Sequence, residues 1–179
     1  MKKRSLAALA ILLLLAVAPA VAQEAEKKAE DAATATALAT HVMIDPADIV
    51  WQPAPDVLPV GAQLAVLSGD PSKEGPFVIR IKAPDGYEVA PHWHPAVETV
   101  TVISGTFGIG LGDAFDAATG TELGPGGLFV MQPEVEHFAW TKGETVVQVS
   151  AHGPWQLNYV NPADDPRNAA PEEGVPSGR

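Results

Sequence analysis

The sequence predicts an all-β domain, a sandwich or a barrel, with little helix. The chain of 179 residues contains 16 Gly and 17 Pro, an abundance typical of proteins in which turns join many short strands. Short apolar or alternating runs recur through the middle of the chain, and turn residues separate them at intervals of roughly 8–12 residues. No stretch in this region shows sustained helical periodicity. These observations favour a sandwich or barrel over an alternating βαβ fold.

Eight strands are predicted, in chain order, from the apolar runs. They are Gln63–Leu67, Phe77–Lys82, Thr99–Ile103, Thr106–Leu111, Leu128–Met131, Phe138–Thr141, Thr145–Ser150 and Gln156–Val160. Residues that favour turns mark the boundaries between most of these runs. The boundaries are Ser68-Gly69-Asp70-Pro71, Pro84-Asp85-Gly86, Ser104-Gly105, Gly110 to Asp113, Thr119-Gly120, Gly124 to Gly127 and Lys142-Gly143.

Residues 1–22 are predicted to be a cleaved signal peptide. Lys2, Lys3 and Arg4 supply a positive start, and an apolar run of twelve residues follows. Ala20-Val21-Ala22 matches a small-x-small cleavage site. The run is short for a membrane span, which needs about 20 residues. We therefore expect a periplasmic or secreted protein without stable membrane insertion after cleavage; the alternative is an uncleaved anchor.

The rest of the chain is divided by composition into three parts. Residues 23–45 are rich in Ala, Glu and Lys and are interpreted as a linker or a marginal helix. Residues 46–163 contain the predicted strands and form the expected β-barrel domain. Residues 164–179 contain Pro and Gly but few apolar side chains, so they are predicted to be a flexible tail.

Composition excludes several classes of function. The formal net charge is −11, and loss of the three basic residues of the signal peptide leaves 8 Lys+Arg against 22 Asp+Glu, or −14. Nucleic acid is therefore not an expected partner, because phosphate binding requires clusters of Lys and Arg. The chain has no Cys, which excludes disulfide scaffolds, thiol nucleophiles and thiolate metal sites.

Three side chains near the middle of the chain are predicted to share one face. His92 and His94 are two residues apart, so an extended backbone directs both imidazoles to the same side. Glu98 has the same parity, although Pro95 bends the chain between them. Two imidazoles and a carboxylate are a mixed N/O set suited to Fe(II), Mn(II), Ni(II), Co(II) or Zn(II). A third histidine would complete the site, and His137 lies in a later apolar strand.

The spacing of these residues matches a known motif. Gly86, His92, His94, Glu98 and Gly105 occur in the order Gly-x5-His-x-His-x3-Glu-x6-Gly without a gap. This segment resembles the first motif of the cupin family.

The second cupin motif, Gly-x5-Pro-x-Gly-x2-His-x3-Asn, is matched only in part. Gly126 and His137 agree with it, whereas Gln132, Glu134 and Thr141 stand where Pro, Gly and Asn are usual. Glycine tolerates a positive φ angle and glutamate does so poorly. The turn before His137 is therefore expected to have a different shape from the family's.

The resemblance covers about residues 45–161 and implies a double-stranded β-helix, or jelly-roll (cupin) barrel. It implies one divalent transition metal (Fe, Mn, Ni or Zn) inside the wider mouth of the barrel, with one or two coordination positions open for water, substrate or O₂. The ligands implied by the two motifs are His92, His94, Glu98 and His137. It further implies a homodimer paired through sheet edges.

Two other features lead to expectations about the strand of His137 and the chain end. Phe138 and Trp140 have the opposite parity to His137, so they are predicted to face outward if the strand is regular. The segment from Gly153 to Arg167, here called the closing segment, is interpreted as a specific closing element, and no chemistry is assigned to it.

The function predicted from these residues is that of a metal-binding cupin-domain protein acting on a small molecule outside the cytoplasm. The first hypothesis is a dioxygenase-like oxidoreductase in which Glu98 leaves the metal in part and acts as a base. The second is a non-redox isomerase, epimerase or lyase that uses the same ligands. The third is a non-catalytic ligand-binding or sensor module.

Overall fold

The computed structural model describes residues 41–168. The predicted signal peptide, most of the predicted linker and the tail beyond residue 168 lie outside the described residues. All strands of the described residues lie in the unit that begins at Ile44. Among the residues described, no helix is long and apolar enough to cross a membrane.

The described part of the chain forms nine strands and four short 3-10 helices, so the predicted all-β class with little helix is confirmed. The strands are β1 (Gln52–Pro53), β2 (Gln63–Ser68), β3 (Gly75–Ala83), β4 (Glu88–Trp93), β5 (Glu98–Leu111), β6 (Thr121–Leu123), β7 (Leu128–Met131), β8 (His137–Gly153) and β9 (Asn158–Tyr159). The 3-10 helices are Pro46–Asp48, Ala117–Thr119, Pro162–Asp164 and Pro166–Asn168.

All strand pairs are antiparallel, and the two longest strands close the barrel. The hydrogen-bonded order is β1-β2-β3-β8-β4-β9, and β5 pairs with β6, β7 and β8. β8 is 17 residues long and pairs with β3 and β5 in one half and with β4 and β5 in the other. It therefore belongs to both walls and brings the ends of β4 and β5 to the same mouth.

The strands β1, β4 and β6 are not among the predicted strands, and some predicted strands join into longer ones. The two predicted runs either side of Gly105 are one strand, β5, with register shifts between Val102 and Thr106. Gly105 has φ +78°, and a Cβ there would lie 2.4 Å from Thr145 Oγ1. Glycine is therefore needed both for the left-handed backbone and for the close approach of β8.

The hydrophobic core lies between the two walls and consists of alternating residues of β3, β5 and β8. Its buried members are Phe77, Ile79, Val100, Val102, Val147 and Val149. Val100 pairs with Val149 and Val102 with Val147, which places these four side chains on one face of the sheet. Burial of this face supplies the apolar stabilisation of the barrel.

Phe138 and Trp140 have the opposite parity to His137, as predicted, but neither side chain is exposed to solvent. Both side chains are buried, because the ring of Phe115 packs at centroid distances of 4.9 Å from Phe138 and 6.2 Å from Trp140. Gly108 pairs with Trp140 across the strands, and a Cβ on Gly108 would lie 1.9 Å from the indole. The connection between β5 and β6 thus covers a second, smaller aromatic cluster that parity alone does not predict.

Candidate metal centre

Three strand ends bring the four sequence-predicted site residues together. His92 lies near the end of β4 and pairs directly with His137, the first residue of β8. His94 follows β4 directly, and Glu98 is the first residue of β5. All four side chains are buried.

The three histidines can hold one metal ion. Each offers one ring nitrogen, and these three nitrogens lie within 4.8 Å of one another. The ring centroids of His92 and His137 are 4.3 Å apart, and that of His94 is 5.0 Å from His92 and 5.3 Å from His137. Among the described residues, the potential ligand atoms that lie this close together are the ring nitrogens of these three imidazoles.

The outer ring nitrogen of each histidine is held by a backbone carbonyl. Because a carbonyl oxygen only accepts hydrogen bonds, each Nδ1 must carry the proton and donate it. The Nδ1–O distances are 2.8 Å from His92 to Ala90, 2.7 Å from His94 to Gln156 and 2.9 Å from His137 to Val135. In the neutral ring this leaves the Nε2 lone pair free, which is the form that coordinates a metal.

Burial keeps these rings neutral. Desolvation lowers the pKa of His94 to about 4 and lowers the pKa of His92 well below its usual value, where neighbouring imidazoles add to the effect. Desolvation also lowers the pKa of His137. Nε2 of His94 is buried without a hydrogen-bond partner. Burying a nitrogen lone pair with no hydrogen-bond donor beside it costs free energy, and coordination of a metal ion would remove that cost.

Glu98 contacts two of the histidines. Its Oε1 lies 3.6 Å from His94 Nε2, and its Oε2 lies 3.8 Å from His137 Nε2. Burial raises the pKa of this carboxyl to about 8. A carboxyl that is neutral when the site holds no cation, and that becomes an anion beside one, is suited to ligation or to accepting a proton.

The turn before His137 contains one non-glycine residue in a left-handed backbone conformation. Glu134, where glycine is usual, has φ +62° and is the one non-glycine residue with positive φ in the described chain. Its backbone N–H donates to the carbonyl of His94 at 2.8 Å. Glutamate thus adopts a backbone conformation that glycine tolerates better, and the bond to His94 helps to hold it. The difference in turn shape from the family stays a prediction.

Thr141, at the last position of the second motif, makes hydrogen bonds that hold two parts of the chain together. Its side chain is buried, and its hydroxyl donates to the Pro84 carbonyl at 2.6 Å while accepting from the Tyr87 backbone N–H at 2.9 Å. The substitution for asparagine therefore leaves no unsatisfied polar group there. Thr141 thus ties the turn before β4 to β8.

Trp155 in the closing segment is a site residue that sequence reasoning missed. Its indole stacks on the ring of His94, with 5.0 Å between centroids and 14° between planes. The next residue, Gln156, supplies the carbonyl that holds His94 Nδ1. Neither cupin motif contains these positions, and the sequence signal, a Gly-Pro-Trp corner after the last long strand, does not specify what it packs against.

The metal centre lies at one end of an apolar cavity inside the barrel. Aliphatic and aromatic side chains from both walls line it, among them Ile81, Val89, Phe107, Ile109 and Phe129. The volume open to the centres of water molecules is about 60 Å³, room for several waters or a compact ligand. The polar groups at the histidine end are therefore the main anchors available to a ligand in this cavity.

Comparison with protein families is consistent with this geometry. The model of the ChrR cupin-like domain matches residues 39–156, about two thirds of the chain. The chain belongs to the ChrR cupin-like domain family. The resemblance derived from the two motifs is thereby confirmed. This cupin domain carries a three-histidine cluster that can hold a metal ion. No curated protein sequence matches the chain.

Solved structures show the same fold at low sequence identity. The polyketide cyclase RemF from Streptomyces resistomycificus superposes with a TM-score of 0.59 at 17% identity, covering 70% of this cupin chain and 89% of its own. KdgF from Halomonas sp. has a TM-score of 0.49 at 19% identity, over 63% of this chain and 94% of its own. An RmlC-like cupin from Shewanella frigidimarina has a TM-score of 0.49 at 16% identity, over 62% and 88%.

Proposed function

We propose that this cupin domain is a metal-dependent, dioxygenase-like oxidoreductase for a compact, mainly apolar small molecule with an enol or phenol group. The observation that carries the proposal is the convergence of three neutral imidazoles and one buried carboxyl at the end of an apolar cavity. In the proposed reaction both atoms of O₂ enter the substrate.

The chain's own residues would supply positioning and proton transfer. A bound Fe(II), Mn(II) or Ni(II) would supply a site for the substrate oxygen and for O₂ together. Glu98 lies within 4 Å of two of the imidazoles, and as an anion it would accept the proton of the substrate hydroxyl. The apolar walls would exclude water from the reacting end of the substrate.

The character of the cavity wall supports this proposal over the two alternatives. A sugar or oxo-acid isomerase needs several hydrogen-bonding groups for its polar substrate, and the wall beyond the histidines is built mostly from Ile, Val, Phe and Leu side chains. A non-catalytic binding or sensor module would not require a base, yet Glu98 is buried beside the ligand atoms. Both alternatives are outcomes of the test below.

Export and dimerisation belong to the same proposal. The signal-peptide pattern of residues 1–22 supports a location outside the cytoplasm. Leu128 and Val130 on β7 are 56% and 48% exposed, and a homodimer would cover them. The net charge of −11 supports the absence of a nucleic-acid partner.

The test begins with metal content. The chain, expressed with its export signal and purified without chelators, should contain close to one equivalent of Fe, Mn or Ni by inductively coupled plasma mass spectrometry. A His92→Ala variant should lose that metal. The metal-loaded protein should then consume O₂ in the presence of compact phenols or enediol compounds.

Each alternative result has a defined meaning. Turnover without O₂ on a Zn(II) or Mn(II) protein would replace the proposal with the isomerase. Saturable ligand binding without turnover across the panel, unaffected in Glu98→Gln, would replace it with the binding module. No metal after reconstitution would overturn the metal centre itself.

A further inference from the structure

The loop that joins β1 and β2 covers one side of the cavity. Residues 54–62 form no strand, and the loop is closed at its base by the Ala54 N–H donating to the Ala62 carbonyl at 3.0 Å. Leu58 is 6% exposed, whereas Val60, two residues later, is 99% exposed. This β1–β2 loop is therefore a compact surface loop with Leu58 pointing into the molecule.

Leu58 belongs to the linings of two cavities. It lines the metal cavity together with His92 and Glu98. It also lines a surface cavity, whose wall includes Pro59, Val60 and Arg167 and whose volume open to water centres is about 510 Å³. Leu58 is the residue common to both linings.

Two tyrosine hydroxyls attach the loop on either side of Leu58. Tyr87 donates to the Pro59 carbonyl at 2.6 Å, and Tyr159 donates to the Val57 carbonyl at 2.9 Å. Burial raises the pKa of Tyr159 to about 12 and raises that of Tyr87 as well, so both hydroxyls keep their protons. Each of these side-chain hydrogen bonds can break without breaking the backbone hydrogen bonds between strands.

The charges around the surface cavity disfavour anions. The guanidinium of Arg167 is paired with Asp165, with Nη2 2.6 Å from Oδ2 and Nε 2.9 Å from Oδ1. Asp56 adds a further carboxylate to the wall, and the remaining lining is Pro, Ala, Val, Leu and Gly. An anion would find no uncompensated cation in this lining.

We propose that Leu58 is the gate and size-determining residue of the metal cavity, and that the surface cavity beyond it is the access route for compact, mainly apolar compounds that carry no negative charge. The inference deepens the proposed function, since it concerns the same cavity. Opening requires the Leu58 side chain to leave its site and the flanking carbonyls to exchange tyrosine hydroxyls for water. The side chain's bulk sets the length of ligand that the closed cavity accepts.

The first experiment measures metal release. The full chain and its variants are loaded with Co(II), mixed with excess chelator, and followed by absorbance. Leu58→Ala should accelerate release by about tenfold or more, because the barrier formed by the gate is removed. Tyr159→Phe, which deletes one attachment and no gate volume, should also accelerate it. Val60→Ala, a matched truncation on the same loop, should release metal at the rate of the unaltered chain.

The second experiment measures ligand size in the metal-free protein, so that its outcome is independent of metal binding and of turnover. The ratio of 2-naphthol to phenol affinity, measured by calorimetry, should rise by about tenfold in Leu58→Ala, since each 1.4 kcal/mol of added apolar contact is tenfold. It should stay unchanged in Val60→Ala and in Tyr159→Phe. The isosteric Leu58→Met variant, which preserves the volume, should also leave the ratio unchanged and checks that folding is intact.

Defined results would overturn the inference. Equal release rates for the unaltered chain and Leu58→Ala, or equal acceleration in Val60→Ala, would show that the gate is not at Leu58. An unchanged naphthol-to-phenol ratio in a folded Leu58→Ala variant would refute the size-determining role. A chain that takes up no Co(II), but shows the predicted ratio, would contradict the metal centre and leave the gate supported.

Discussion

Metal binding is expected to release one proton from Glu98, and this is the sharpest consequence of the site's electrostatics. Without a metal, burial raises the pKa of this carboxyl to about 8, so it is mostly neutral at pH 7. A divalent cation among the three imidazoles favours the carboxylate, whose oxygens lie 3.6 Å and 3.8 Å from His94 and His137 Nε2. The proton held by Glu98 must therefore leave when the metal arrives.

The size of the effect follows from the pKa. Ionising a group of pKa about 8 at pH 7 costs about 1.4 kcal/mol, which lowers the metal association constant about tenfold. The constant should rise about tenfold per pH unit between pH 6 and 7 and level off above pH 8. The histidines add little to this slope above pH 6.5, because burial lowers the pKa of all three rings and they are already neutral.

The assay is a Zn(II) titration in competition with a chromophoric chelator at half-unit steps from pH 6 to 8.5. Calorimetry in two buffers of different ionisation enthalpy gives the number of protons released directly. Glu98→Gln is the matched control, since the amide has the same shape and no titrating proton. In that variant the chelator-corrected affinity should be independent of pH over this range.

Two results would refute this reasoning. An affinity of the unaltered chain that does not change between pH 6 and 8 would mean that Glu98 does not lose a proton when the metal binds. An equal slope in Glu98→Gln would assign the released proton to another group, such as a metal-bound water.

Three further predictions concern the frame of the site. Gly105→Ala should lower the free energy of unfolding by about 3 kcal/mol, and Gly86→Ala should lower it by about 1 kcal/mol. Both positions have positive φ, but only at Gly105 would the new Cβ meet Thr145. Equal losses for the two variants in urea unfolding would contradict this prediction. Glu134→Gly should raise the unfolding free energy by about 0.5 kcal/mol. Removing the backbone strain at φ +62° should gain roughly 1–2 kcal/mol, which exceeds the roughly 0.5–1 kcal/mol by which glycine favours the unfolded chain through its greater conformational entropy. A loss of stability in urea unfolding would count against strain at this residue. Free Zn(II) at about 100 times its dissociation constant should stabilise the protein by about 2.7 kcal/mol in thermal unfolding, and chelation should remove the gain; the same shift in His92→Ala would place the metal elsewhere.

Much of the site was predictable because its residues are close together in the sequence. His92, His94 and Glu98 lie within seven residues, and alternation along extended backbone is enough to direct them to one side. His137 required the family motif, since its contact with His92 depends on the register of β4 against β8. The merging of predicted strands into β5 and β8 also depends on long-range pairing, which local turn signals at Gly105 and Gly143 obscure.

The features that escaped sequence reasoning all involve packing between distant segments. Trp155 stacks on His94 from a part of the chain 61 positions later, and nothing local in a Gly-Pro-Trp corner indicates that partner. Phe138 shows the expected parity, yet Phe115 covers it. Glu134 shows the opposite case, in which local propensity opposes the observed backbone and a bond to the His94 carbonyl helps to override it.

The three imidazoles differ in how the chain orients them, and the difference assigns a role to the closing segment. His92 and His137 donate to carbonyls two residues earlier, Ala90 and Val135, so their orientation is encoded within their own strand ends. His94 donates to Gln156, 62 residues away, and carries the indole of Trp155 on its face. Its orientation exists only when the closing segment is docked. The same segment continues into β9, where the hydroxyl of Tyr159 donates a hydrogen bond to the β1–β2 loop. One stretch of chain therefore both orients a metal ligand and attaches the loop that covers the cavity.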